Sequence, residues 1–318
     1  MISDELLSTF IQVAGVYISG IVGFLGIVFN VINIIVFVKL GFSDTTNISL
    51  LALSVADIGV SLPVLGYSII SIPFVTSLLG RSLAGAIIYA VGAPVHILFC
   101  RIAGLLTAFL ALERFVCVAW PLRVKTVVTP RLTVGLVISL FVIMTACNVP
   151  NSLAYRIGLE FDPLLNETGY GILFHPHGDQ LQDITITVQV LAQITSFTVV
   201  AVSTLGLVWS LRKSVKWRKS TSAVSLPAHV SRREKQLVKM VILISVVFIV
   251  CSLPTVVGNL AMVCDKDFNV RGSLMNLFLF SSIVFFILNT TNSMVNMFVY
   301  LNMSSRYRVV FLSLISRT

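Results

Sequence analysis

Long apolar runs alternate along this chain with short polar stretches. Seven such runs cover about residues 14–39, 47–74, 84–118, 133–154, 181–211, 233–263 and 274–301. Each reaches the roughly 20 residues that an α-helix needs to cross a hydrocarbon core. In lipid a backbone must satisfy its own donors and acceptors, and a helix does so within one segment. The wall of a membrane barrel would alternate apolar and polar residues over segments of about ten; these runs are continuous. The expected fold class is all-α, a seven-transmembrane helix bundle forming one domain over residues 1–318. After Tyr300, Arg306 and Arg308 interleave with Val309, Val310, Phe311, Leu314 and Ile315 at near-helical spacing. That predicts a short helix over about 303–315, lying on membrane lipid.

Composition agrees. The 318 residues are 57% hydrophobic and 11% charged, against about a quarter charged in a soluble domain. The net charge of +9 invites a nucleic-acid reading. The basic residues sit in short blocks between apolar runs, however, as a basic face against anionic lipid requires, and no nucleic-acid partner is expected. The first 20 residues open with Asp4 and Glu5 and lack the basic start of a secretory signal, so the first span is expected to direct its own insertion. No fixed-period repeat or low-complexity block is visible. Four of the five cysteines (Cys100, Cys117, Cys147 and Cys251) fall inside apolar runs, and only Cys264 reaches the expected outer surface, which argues against an outer disulfide framework.

Lysine and arginine set the orientation. Lys39, Arg123, Lys125, Arg131, Arg212, Lys213, Lys216, Arg232, Arg233, Lys235, Arg306 and Arg308 occupy one set of connections. The other set holds Arg81, Arg156, Lys266 and Arg271 among many acids. The first set is expected to be cytoplasmic, with the carboxyl terminus, in a plasma-membrane protein whose amino terminus lies outside. The acidic connection between spans four and five carries Asn166-Glu167-Thr168, a glycosylation acceptor on the expected outer side.

Polar residues inside a span need a partner or a task. Asp57 sits midway in span two, Asn30 in span one, and Asn292, Ser293 and Asn296 in span seven; Asn292 and Asn296 share a helical face. They are expected to converge on Asp57, either as glue between helices or as a switch element. At the far end of span three stand Glu113 and Arg114, and at the facing end of span six Glu234. An Arg114–Glu234 pair is expected to hold the cytoplasmic side shut.

Taken in order, Asn30, Leu53-Ser54-Val55-Ala56-Asp57, Glu113-Arg114-Phe115 with Pro121-Leu122, Pro254, Asn292-Ser293, Asn296 through Tyr300, and Tyr307-Arg308 resemble the signature of rhodopsin-family G-protein-coupled receptors. The resemblance covers nearly the whole chain. It implies that Arg114 engages a heterotrimeric G protein once freed from Glu113 and Glu234. It further implies that Pro254 is the kink on which span six swings, that Asn296 and Tyr300 stand in the span-seven motif, and that Asp57 is the sodium-site aspartate. This chain departs from the pattern at several places. Met297 replaces the motif proline, Ser252 the usual tryptophan, and Ala103 the serine of the sodium site. Span four has no tryptophan, span five neither proline nor tyrosine, and Tyr89 stands where span three usually has a cysteine. Several segments also resemble invertebrate, notably molluscan, chemosensory receptors.

The ligand follows from what the spans lack and carry. Span seven has no lysine for retinal, and span three no outer aspartate for an amine. It carries His96 and Arg101 instead, about 140° apart around a helix. Arg101 favours a carboxylate-bearing ligand by bidentate pairing, or else bonds carbonyls and hydroxyls of neighbouring spans. Cys100, Thr255 and Asn259 complete the candidate ligand-binding set. The ligand expected is an extracellular small molecule from the environment, or alternatively a peptide. No nucleophile–base set, phosphate loop, metal cluster or cofactor motif is present, so neither an enzyme nor a metal site is expected; His175 and His177 are two loop histidines. A secondary transporter would show inverted repeats, and no matching halves are seen.

Overall fold

The structure, a computed structural model, describes residues 3–120, 128–162, 167–220, 232–265, 267–268 and 272–316, with 162, 167, 213–220 and 232–234 described as backbone only. Among them, seven helices are long and apolar enough to cross a membrane. These are Asp4–Leu40, Thr45–Ile70, Arg81–Ala119, Pro130–Ala154, Gly178–Arg212, Lys235–Cys264 and Met275–Met303, called spans one to seven. They fall on the seven apolar runs. A short helix, Ser305–Ile315, follows span seven, with Ser304 accepting from the Tyr307 amide.

Span one begins ten residues before its apolar run. Ser3 accepts from the Leu6 amide, and Asp4 and Glu5 lie in the first turn, where negative charge suits the exposed amides. Span seven holds this extension: Phe10 stacks on Phe280 at 4.1 Å and Asn276 donates to Asp4 at 2.7 Å. The helix widens to π geometry over Ile11–Ile18.

Before span three a short helix, Pro73–Leu79, ends at Gly80, whose φ of 80° suits a residue without a Cβ. Span three widens at Ile88–Gly92. Pro94 follows within the next turn and has no N–H to give to the carbonyl four residues back, which this wider turn accommodates.

The acidic connection after span four is a β-hairpin. Strands β1 (Tyr155–Asp162) and β2 (Glu167–Phe174) pair antiparallel, with Tyr155 opposite Phe174 and Glu160 opposite Gly169. Its signal is strict alternation: Tyr155, Ile157, Leu159 and Phe161 are apolar, and Arg156, Gly158 and Glu160 between them are not. Acidity and glycine content obscured this pattern. The hairpin marks one end of the bundle, and the carboxyl-terminal helix marks the tail end.

The core is largest at the tail end, where Phe37, Leu50, Leu110, Leu207, Met240, Ile244 and Val299 pack around Tyr300 and Tyr307. Midway, Leu53, Leu98, Ile102, Leu106 and Met144 form a second cluster. Outward-facing Val142, Ile143, Val202, Leu205 and Trp209 are exposed, as helices bathed in lipid require.

Candidate functional site

Most of the expected polar residues meet in the middle of the bundle. Asn296 donates to Asp57 Oδ2 at 2.8 Å. Asn30 donates to the carbonyls of Gly26 and Ser293 at 2.9 and 3.0 Å, tying span one to span seven. Ser293 shares a 3.0 Å bond with Ser61 of span two and donates to the Thr290 carbonyl. Asn292 is only half-buried and joins none of these bonds. Three partners were missed in the sequence. Asn33 donates to Asn30 at 3.1 Å, Tyr307 of the terminal helix donates to Asn33 at 2.5 Å, and Ser61 is the third. Their spacing was visible, since Asn33 lies three residues after Asn30 and Ser61 four after Asp57. Burial holds the Tyr307 hydroxyl protonated well beyond the ordinary phenol range.

Asp57 Oδ1 is buried without a partner. A hard cation needs several oxygens. Here Ala103 brings none, Asn292 is half-buried and makes no bond to Asp57, and the Ser61 and Ser293 hydroxyls are engaged with each other and with the Asp57 and Thr290 carbonyls. The donor set does not fit a sodium ion.

Toward the tail end of span three, Arg114 forms an ion pair with Glu113, and Thr45 of span two donates to the same carboxylate oxygen. Arg114 also donates to Thr45 Oγ1 at 3.4 Å. Thr45, the first residue of span two, was not anticipated; nothing but its place in the fold brings it here. The expected partner Glu234 has its side chain outside the described residues. Tyr300 is buried between Phe37 and Tyr307, with ring centres 5.1 and 5.5 Å away, and its hydroxyl has no partner. Pro254 lies inside the span-six helix, two residues after the buried Ser252.

In the hairpin-end half, the candidate ligand residues separate onto two faces of span three. His96 bonds the Val60 carbonyl at 2.9 Å, packs at a tilt against Phe286 with ring centres 4.5 Å apart, and lies 3.4 Å from the Cys100 sulfur. It faces spans two and seven with its hydrogen bonds made. Arg101 is also buried, its Nε without a partner. Thr255 accepts from Asn289 at 3.3 Å, and the Asn259 amide nitrogen is buried and unpaired. Span five adds a buried polar stripe that the sequence reading missed, made of Thr185, Gln189, Gln193 and Ser196. Spacing of three to four residues between polar side chains in an otherwise apolar run was its signal.

Aromatic contacts link span three to the hairpin. Tyr89 packs on Tyr155 at 5.7 Å and accepts from Gln182 at 3.0 Å. Tyr155 packs on Phe174, accepts from Asn151 at 2.9 Å and donates to the Ala90 carbonyl at 3.3 Å. No disulfide joins any of the five cysteines. Asn166 lies outside the described residues.

A family model described as 7 transmembrane receptor (rhodopsin family) matches residues 29–300. The match runs from the residue before Asn30 to Tyr300. No curated protein matches the chain.

Proposed function

The chain belongs to the rhodopsin family of seven-transmembrane receptors, and from that premise we propose that a chemical from the environment enters its hairpin end and drives a heterotrimeric G protein at the tail end. As a receptor of this family it is a multi-pass membrane protein that transmits a conformational change and is not an enzyme. Family membership also sets aside the transporter alternative. The hairpin end is extracellular and the tail end cytoplasmic in the plasma membrane, on the asymmetry of lysine and arginine between the connections.

The observation that carries the proposal is the Arg114 guanidinium held by Glu113 and Thr45 at the tail end of span three. A cation on these partners is withheld from any other. A bundle that opens there exchanges those contacts for contacts with a G protein. The ligand drives the exchange only by binding the open form more tightly than the closed one. A difference of about 1.4 kcal/mol moves such an equilibrium tenfold, so weak contacts suffice to bias it.

The test is nucleotide exchange. Receptor purified into lipid nanodiscs is mixed in turn with G proteins of each main class, and guanine-nucleotide uptake is followed. Wild type is expected to accelerate uptake on at least one class above empty nanodiscs, and Arg114→Ala is expected not to. Equal rates for empty discs, wild type and variant across all classes would sink the proposal.

A further inference from the structure

We infer that the hairpin-end half of the bundle, between spans three and five, takes a small hydroxy acid, its carboxylate pairing with Arg101 and its hydroxyl donating to Gln189. The inference rests on the receptor reading above and names the chemistry of the ligand.

Arg101 is 6% exposed. Among the described residues no hydrogen bond or ion pair reaches its guanidinium, and the Nε is buried without a partner. A guanidinium has five donors and keeps its charge inside proteins. Leaving it unpaired in an apolar interior is strongly unfavourable. The side chain is therefore a cation that lacks an anion among the described residues.

Placement shows what lies around it. Arg101 shares a helical face with Gly104 and Ala108, three and seven residues further on. A Cβ at Gly104 would stand 3.2 Å from the Ser196 hydroxyl of span five and 3.4 Å from the Phe248 ring of span six. Ala108 packs with Val200 and Phe248. Arg101 thus faces spans five and six, the side opposite His96. Spans three and five both run away from the hairpin end. One turn nearer that end than Ser196 is Gln193, whose carbonyl accepts from the Ser196 hydroxyl at 3.0 Å, and another turn on is Gln189. Both glutamines are buried. Side chains on a helix lean toward its amino terminus, here the hairpin end, so the long Arg101 side chain extends toward the level of these amides. Gln189 donates to Asn148 Oδ1 at 3.4 Å, while its own oxygen is buried with no donor.

A cation without an anion and an acceptor without a donor thus lie on spans three and five, which pack against each other. A carboxylate with a neighbouring hydroxyl answers both. An ammonium does not. Of the carboxylates in spans two and five, Asp57 is already bonded by Asn296 and Asp183 is exposed. A hydroxy acid is favoured over an amine or an amino acid on that ground.

The test uses receptor in nanodiscs and thermal unfolding. The probes are lactate, mandelate, 3-phenyllactate and 4-hydroxybenzoate, each beside its carboxamide, with phenylacetate and phenethylamine added. At least one hydroxy acid is expected to raise the unfolding temperature while its amide and the amine do not. Arg101→Gln is expected to weaken that acid about 10- to 100-fold, the loss of a charged hydrogen bond. Gln189→Leu is expected to weaken mandelate and leave phenylacetate unchanged. Without any ligand, Arg101→Met is expected to raise the unfolding temperature, because an apolar chain replaces an unpaired charge. A fall there means that the protein itself holds Arg101, and overturns the inference. So does a silent acid panel on wild type, or an acid that binds Arg101→Gln unchanged. Nucleotide exchange on the same samples separates the two proposals: acid binding without exchange leaves the ligand class standing and sinks the receptor reading.

Discussion

Asn296 of span seven donates a 2.8 Å hydrogen bond to the carboxylate of Asp57 in span two, and both side chains are buried. It is the bond that the Asp57 carboxylate makes among the described residues, since its other oxygen has no partner. The two helices are thereby coupled at the bundle centre, beside the Asn30–Ser293 link of spans one and seven.

Removing the donor should therefore cost more than neutralising the acceptor. Asn296→Ala leaves a buried carboxylate wholly unmet, and a loss of about 1–3 kcal/mol of stability is expected. Asp57→Asn keeps an oxygen for Asn296 and removes the unpaired charge, so its effect should be less than half as large. Thermal unfolding in nanodiscs compares the two; equal losses would refute the ordering.

Arg114 is tied to Glu113 and Thr45, with both charged side chains largely buried, so that removing one holder leaves the other charge unmet. Glu113→Gln and Thr45→Ala are each expected to raise ligand-independent nucleotide exchange several-fold. Glu234→Ala should do the same if span six supplies a second holder. Arg114→Ala should silence coupling while leaving ligand binding intact. Flat basal exchange in both Glu113→Gln and Thr45→Ala, at matched receptor amounts, would show that the switch lies elsewhere.

The hairpin is fastened to span three by Tyr155, through Tyr89, Phe174, Asn151 and Ala90. Tyr155→Phe removes two hydrogen bonds and keeps the ring contacts. Tyr155→Ala removes all of them and should cut amide-exchange protection across residues 155–174 at least about tenfold, consistent with the few kcal/mol that a deleted aromatic ring costs. Mild reductant should leave that protection unchanged, because the contacts involve no cysteine. Protection that survives Tyr155→Ala would mean the strands hold themselves.

Topology is checked with a carboxyl-terminal tag and the Asn166 acceptor. Antibody should reach the tag only in permeabilised cells, and Asn166→Gln should abolish a glycosidase-sensitive mobility shift. Staining of intact cells would reverse the orientation.

Hydropathy made the seven helices legible because lipid imposes one local rule, that about 20 consecutive residues be apolar. The same rule made Asp57, Asn30, Asn296 and Arg114 conspicuous, since each breaks it. The ordered set of such residues was enough to suggest the family. Rotation of each helix about its axis is a different matter. It is set by neighbours far away in the chain, and a composition that is apolar all round leaves it undetermined. Packing turned His96 onto Val60 and Phe286 and left the Arg101 Nε buried without a partner. It likewise brought Thr45 to Glu113, sixty-eight residues away. It placed Tyr307 on Asn33, and it extended span one back to Asp4 by giving Phe10 a ring to stack on. Burial of an apolar segment is a property of that segment; a hydrogen bond between two spans belongs to neither sequence stretch, and forms only when the bundle closes around both.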